Sequence, residues 1–481
     1  MALGLTVASG QESSWNVNSP QEPAPAYGQQ NTPSPITENP PLSGADRTGA
    51  EANTSPVSYI QPGATFVEFV DTNATNQLGG SSVGSITHAL GSLTLQRLWK
   101  NYDLALGYVG GVGYFNVTGI GTRLLQQMDF DQKISWKRGH VSLLDSFSYL
   151  PEGNFESTYG SLGSEGIASL DGATFSSFWW GAGLGTFGET PRLLNVSLAD
   201  LTENLSPKSA VTAAAGYAFT HFYGKDIETG GSFLSSSQFS VQMGYNRLLT
   251  PQTQVAFVYG YQKFDFDLTG TDFNSNLIQL MYGQRISSRM DFILAAGPQF
   301  TNLTLSTPFG SFPDFRIGIA GRAELRYRIS KAALQASYER YITSGSGIFA
   351  GAESDIARVA VDHPLSRVWG SIMDLGYVRN SRLEALSSAQ LATCSIPGEA
   401  MTTPLLPICP VVNGNTYIYG FVGGALHRSL GHDFRAFIGY QFNEVSFDNS
   451  YCNGLPVCNR IGNRQTATFG FDWTPRPIRL D

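Results

Sequence analysis

From Asp314 to Ile329 the chain reads as two sequences interleaved. The odd positions are Phe315, Ile317, Ile319, Gly321, Ala323, Leu325, Tyr327 and Ile329; the even ones include Arg316, Arg322, Glu324, Arg326 and Arg328. A strand sends successive side chains to opposite faces, so this segment has one apolar face and one charged face. A helix of the same sequence would mix arginine and isoleucine all the way round. The pattern recurs along the chain, and it suits a transmembrane barrel, in which the apolar face meets lipid and the polar face a water-filled lumen.

Composition narrows the alternatives. Charged residues make up 14% of the 481 positions, against about 25% in ordinary soluble domains. Aromatics reach 12% and glycine 53 residues, yet mean hydropathy is only −0.10. No apolar run approaches the roughly 20 residues that a transmembrane helix needs. A large soluble all-β protein shares this broad look. The net charge of −8 is not that of a nucleic-acid binder, and no Lys/Arg cluster carries interleaved aromatics, so no nucleic-acid partner is expected.

Alternation supports individual strands. Phe239, Val241, Met243 and Tyr245 oppose Gln238, Ser240, Gln242 and Asn246; Val255, Phe257, Tyr259 and Tyr261 oppose Gln254 and Gln262. Phe434, Ala436, Ile438, Tyr440 and Phe442 oppose Asp433, Arg435, Gln441 and Asn443, while 208–222 has little contrast around Ala213, Ala214 and Ala215. Two kinds of connection alternate. The short polar ones, such as Ser206-Pro207-Lys208, Thr250-Pro251-Gln252 and Ser287-Ser288-Arg289, read as tight hairpin turns. The others are longer and variable. Between them the pattern predicts strands at 58–71, 85–99, 102–116, 121–136, 139–151, 190–205, 208–222, 233–248, 253–267, 272–287, 290–304, 314–329, 332–345, 352–364, 368–381, 414–429, 433–447 and 462–474. The expected fold is all-β: an antiparallel, up-and-down transmembrane barrel of about 18 strands, within roughly 16–20. An even count puts both ends of the barrel chain on the short-turn, periplasmic side. Trp99, Trp136, Tyr245, Trp369 and Trp473 fall near turn ends, where an interfacial girdle is expected.

Outside the barrel, at 57–475, the reading is simpler. Residues 1–11 resemble the end of a secretory signal, and 476–481 form a short tail. Residues 12–56 are rich in Ser, Pro, Gln, Asn and Glu, cannot bury enough apolar surface to offset ordering entropy, and are expected to be a disordered periplasmic segment rather than a plug.

At this point the chain resembles the bacterial outer-membrane porin-like barrels, over roughly residues 57–475. The last strand adds a sharper point. Ala467, Phe469, Phe471 and Trp473 form an outward face ending in an aromatic, similar to the signal by which the outer-membrane assembly machinery recognises barrels; here Thr-Pro-Arg-Pro-Ile-Arg-Leu-Asp481 follows it. The resemblance implies outer-membrane lipid and small hydrophilic solutes as partners, and a third outer loop that folds inward and narrows the pore. That loop is 152–189, with Glu156, Glu165, Asp171, Trp179 and Trp180 as constriction candidates.

Parity assigns the lumenal charges. Arg316, Arg322, Glu324, Arg326 and Arg328 share a face, Glu339 lies inward on the next strand, and Arg358 and Asp362 share an inward face on the one after, with Asp374 placed to lie across from them. The functional reading is an anion-attracting stripe; the structural reading is a salt-bridge lattice. Asp129, Asp131 and Lys133 share a face on the opposite side, which makes a transverse field plausible. The four cysteines, Cys394, Cys409, Cys452 and Cys458, fall as two close pairs in long connections and suggest disulfides 394–409 and 452–458. No cofactor or metal is expected. Gly183 to Gly188 matches GxGxxG but opens no helix, and the six histidines lack metal-ligand spacing. The chain therefore reads as a non-enzymatic channel, with a dedicated exporter (for example of a polysaccharide) or a closed structural or adhesive barrel as alternatives.

Overall fold

The computed structural model describes residues 42–43, 58–73, 78–116, 121–150, 192–223, 234–267, 272–307, 310–329, 331–345, 347–383, 415–449 and 459–480. Its strands are β1 (Tyr59–Asp71), β2 (Gly84–Leu98), β3 (Tyr102–Phe115), β4 (Gly121–Trp136), β5 (Gly139–Leu150), β6 (Arg192–Ser206), β7 (Ser209–Phe222), β8 (Ser236–Thr250), β9 (Thr253–Phe266), β10 (Asp272–Ser287), β11 (Met290–Thr307), β12 (Gly310–Ile329), β13 (Ala332–Thr343), β14 (Ala352–Pro364), β15 (Trp369–Arg382), β16 (Thr416–Ser429), β17 (Phe434–Phe447), β18 (Ile461–Trp473) and the two-residue β19 (Ile478–Arg479). Each of β1–β18 pairs antiparallel with its neighbour in sequence, and β1 pairs with β18, so the sheet closes on itself. Strand boundaries follow the sequence reading closely.

The short turns have a shared chemistry. The side-chain oxygens of Ser206, Thr250, Ser287 and Ser366 accept hydrogen bonds from the backbone N–H two residues on, at Lys208, Gln252, Arg289 and Val368, over 3.2–3.3 Å. A hydroxyl at that position folds the backbone locally and fixes a tight reversal. At the other end the alternation of short and long connections breaks once. The segment 305–313, read as an outer loop, is instead mostly strand: β11 and β12 stay paired down to Thr307 and Gly310.

The distribution of side chains is that of a soluble protein turned inside out. Ile319 is 71% exposed and Leu280 69%, whereas Ser240 is 1% exposed and Gln262 fully buried. A soluble all-β protein would bury the first pair and expose the second. An exposed apolar belt around a closed sheet whose polar side is interior is a transmembrane barrel surface. Trp99, Trp136, Tyr245, Trp369 and Trp473 are all exposed at the short-turn end. Trp136 Nε1 donates to Glu203 over 2.8 Å, and Arg97 and Arg428 lie over Trp99 and Trp369. One end of each ring is thus apolar and the other polar, as an interfacial girdle requires.

The seam carries its own inward fastenings. Arg464 of β18 is ion-paired with Asp71 of β1. Asp472 of β18 accepts from Thr65 of β1 over 2.9 Å and pairs with Arg435 of β17 over 2.8 Å. Beyond Trp473, Pro475 and Pro477 interrupt the ladder, and β19 then rejoins β1 at Tyr59 and Ile60. Prolines cannot donate to a ladder, so the tail pairs only after them. Of segment 12–56, the structure describes Leu42 and Ser43. Both contact the barrel's inner wall.

The two faces can be separated by mutation. Ile319→Arg puts a charge on the apolar face and should cost about 2–4 kcal/mol if that residue sits near the bilayer midplane. Arg328→Ser, on the inward face and in no ion pair among the described residues, should cost under about 1 kcal/mol. Urea titration of both variants in lipid vesicles measures the difference.

Candidate functional site: a charged lumen with an apolar constriction

The inward side chains of β10–β15 build a continuous charged wall. Arg322 and Glu324 are 4% and 1% exposed and ion-paired with each other. Arg326 Nε reaches Glu324 at 2.6 Å, Arg322 Nε lies 3.6 Å from Glu339, and Gln335 donates to Glu324 over 3.1 Å. Arg316 pairs with Asp314 at 3.0 Å, and Arg285 with Asp291 at 3.6 Å. Arg358 Nε lies 3.0 Å from both carboxylate oxygens of Asp374, a forked contact. Asp362 faces inward beside them, paired in register with Ala333 and Ile372. The stripe expected to attract anions is therefore interleaved with carboxylates, and the lattice reading describes its geometry better. Two spacings bring acid and base together: residues two apart on one strand share a face, as in Asp314–Arg316 and Arg322–Glu324–Arg326, and residues directly opposite on neighbouring strands have Cβ atoms about 4.5–5.5 Å apart, as in Arg322–Glu339 and Arg285–Asp291.

On the opposite wall Asp129 and Asp131 of β4 face inward as expected. Asp129 is held by neutral donors: Gln127 Nε2 over 2.7 Å, and the Ser146 hydroxyl. Lys133 pairs in register with Asp103 rather than with Asp129. One wall thus carries an interleaved charge lattice, while on the other the Asp129 carboxylate leans on an amide and a hydroxyl.

The sequence reading missed an apolar component. Of the β13–β14 connection, Ser344–Gly345 and Gly347–Gly351 fold into the loop-end mouth. Gly345, Gly347 and Gly351 have φ of 77°, 77° and 89°, a left-handed conformation that glycine adopts without penalty. At Gly351 a Cβ would also lie 2.5 Å from the Phe273 ring. The reversal presents Ile348 and Phe349 inward. Phe349 is fully buried, its ring 5.5 Å from that of Tyr417 and 5.6 Å from the Arg382 guanidinium. Ile348 and Phe349 pack with Val378, Tyr417, Tyr419, Phe421, Val445 and Phe447. Ala350 packs with Phe264, Phe266 and Phe273 on the other flank. A second apolar contact lies deeper: Leu194, Val196 and Leu198 of β6 share one cluster with Leu277, Ala320 and Tyr341 of β10, β12 and β13. Strands far apart around the sheet meet there across the interior. On β6 and β16 the inward residues are the bulky apolar ones, and parity gave no warning, because both faces of β16 are apolar and the outward face of β6 holds only Asn195, Ser197 and Ala199 in its centre.

The constriction candidates Glu156, Glu165, Asp171, Trp179 and Trp180, the four cysteines and the Gly183–Gly188 motif lie outside the described residues. Among the described residues no group of three or more His, Cys, Asp or Glu is placed to hold a metal ion.

No family model matches the chain, and no curated protein matches it. Solved structures match the chain at low similarity. The outer membrane protein OpdK from Pseudomonas aeruginosa is 8% identical, covering 87% of this chain and 99% of its own, with a TM-score of 0.41. OccK5 (OpdH) from the same organism is 12% identical, covering 88% and 99%, with a TM-score of 0.40. A BenF-like porin from Pseudomonas fluorescens Pf-5 is 9% identical, covering 88% and 99%, with a TM-score of 0.41. Similarity at this level assigns no role to any residue of the chain.

Two outcomes are expected of this site. Glu324→Ala leaves Arg322 with only the longer contact to Glu339 and should destabilise the barrel by about 1–3 kcal/mol, while replacing Arg322 and Glu324 together by apolar residues of similar volume should recover most of that loss; a double-mutant cycle in denaturant measures both. Phe349→Ala should widen the loop-end mouth, read as a higher single-channel conductance from a barrel that keeps its heat-modifiable migration.

Proposed function

We propose that this chain is an outer-membrane channel for passive passage of small hydrophilic solutes, and not an enzyme. The observation that supports it most is the interior: a closed sheet that turns Arg322, Glu324, Arg358, Asp374, Asp129 and Asp131 inward, on the face away from the apolar belt, and buries all of them but Arg358 and Asp129. Ionised groups inside a membrane-spanning wall mark solute and ion paths. Loop 152–189 would narrow the pore further through Glu156, Glu165, Asp171, Trp179 and Trp180. The outward Ala467, Phe469, Phe471 and Trp473 would serve the assembly machinery, and outer-membrane lipid would cover the apolar belt. Cys394–Cys409 and Cys452–Cys458 disulfides would close two connections at the loop end, each worth on the order of 3 kcal/mol in the chain-entropy model.

A second reading, a closed structural or adhesive barrel, draws on the apolar cluster joining β6 to β10, β12 and β13. Hydrophobic constrictions in channels gate by dewetting, so this cluster fits either a narrow gate or a permanent seal. An exporter finds no specific support among the described residues.

Planar-bilayer conductance of the purified protein separates these readings. Discrete conductance steps are expected, with a reversal potential close to zero in a salt gradient, because the wall charges are interleaved. Arg322→Ser with Arg326→Ser leaves Glu324 and Glu339 uncompensated and should shift the reversal potential toward cation preference. Absence of any conductance in the native chain and in Phe349→Ala would overturn the channel in favour of the sealed barrel.

A further inference from the structure

Leu42 and Ser43 lie inside the barrel near its short-turn end, and the wall beneath them has the features of a binding site. Ser43 is 1% exposed. Its N–H donates to Asn246 Oδ1 over 3.1 Å, its carbonyl accepts from Thr212 Oγ1 over 2.9 Å, and its hydroxyl contacts both Thr212 Oγ1 and Asn246 Nδ2. Backbone and side chain of this one residue are thus met by two side chains of the wall. Thr212 and Asn246 are themselves buried.

The apolar half of the contact is separate. Leu42 packs on a patch formed by Ala256, Val258, Met281 and Ala295, from β9, β10 and β11. Two glycines make room. A Cβ at Gly244 would lie 2.1 Å from Ser43 Cβ, and one at Gly283 would lie 2.9 Å from Leu42 Cδ2. Neither contact is tolerable without movement. Wall and segment therefore match in shape at two points, in polarity at Ser43 and in apolar surface at Leu42. An apolar patch facing a polar lumen is costly to leave wet, and Leu42 covers it.

We propose that the inner wall of β7–β11 is a binding site for an extended peptide, occupied by Leu42–Ser43 of this chain, and that these two residues narrow the pore at its short-turn end. The anchor is within reach of the barrel's first strand, since the chain from Ser43 to Tyr59 can extend over about 50 Å. The narrowing rests on the proposed channel, whereas the site itself does not.

The test uses the full chain, with one readout for each part. First, Ser43→Cys is labelled with a bulky maleimide in the folded protein, and peptide mapping separates its label from that on the native cysteines. The introduced thiol should react slowly on the native wall and on the order of tenfold faster with Gly244→Val, the effect of removing roughly 1.4 kcal/mol of docking. Should Gly244→Val lose heat-modifiable migration, Thr212→Val with Asn246→Ala takes its place. Equal labelling on native and altered walls overturns the site. Second, conductance of the wall variants should exceed that of the native chain, and a synthetic peptide of residues 36–48 added from the short-turn side should block the native wall with its own Ser43 replaced by Pro, but not the Gly244→Val wall. A protected thiol with unchanged conductance overturns the narrowing. If neither native nor variant barrels conduct, the proposed channel fails, while the labelling still decides the anchor.

Discussion

The structure depends on closing the backbone ladder. Inside a bilayer no water is available for an unpaired N–H or C=O, so a spanning sheet must have no edge. Here the last requirement is met between β1 and β18, whose pairing runs from Ala64–Trp473 to Asp71–Thr466. Everything else follows from where that pairing sets the register. It places Asp71 against Arg464 and Thr65 against Asp472 on the inner face. It leaves Phe66, Phe469 and Phe471 on the outer one. A slip of one residue would exchange the faces along the whole strand and bring charge to lipid. The seam ion pairs therefore report the register as well as hold it.

The interior then has two opposed tendencies. Arginines and carboxylates are interleaved along β10–β15, most of them paired, so the wall is polar without presenting a large net charge. The sequestered pair Arg322–Glu324 gives rigidity and little field. Apolar contacts pull the other way: Phe349 and its neighbours fill the loop-end mouth, and β6 meets β10, β12 and β13 deeper in. From the loop end a solute would meet Phe349 and its neighbours, then the β6 cluster, with Arg322, Glu324, Arg326 and Arg328 on its short-turn side. How far such a path conducts depends on those few side chains rather than on the number of strands, and the anchor at Ser43 adds a third narrowing near the short-turn end.

Much of the fold was legible because a strand's period is two and a membrane reverses the usual sense of burial. Ile317 and Ile319 opposite Arg322 and Arg326 declare both the strand and its orientation, and hydroxyl-bearing turn residues such as Ser206 and Thr250 mark the reversals. The site was only partly legible. Parity put Arg316, Arg322, Arg326 and Arg328 on one face, with Asp314 and Glu324 two residues from their partners on the same strand; that Arg322 also meets Glu339 and that Arg358 meets Asp374 depends on register between strands. The inward Tyr417, Tyr419 and Phe421 escaped notice for a different reason, since β16 is apolar on both faces and alternation carries no sign there.

By itself the sequence determined the strand class, the strand boundaries, the position of the short turns and which face of most strands meets lipid. These are local properties, fixed by two-residue periodicity and by side-chain hydrogen bonds within each turn. Only the tertiary structure decided the rest. Asp71 meets Arg464 across a separation of 393 residues, and Ser43 meets Asn246 across 203. Ser344–Gly345 and Gly347–Gly351 turn inward because three left-handed glycines point them at pockets formed by strands before and after them. Contacts of that kind exist only once the sheet has closed, because closure is what brings distant strands to face one another across a common interior.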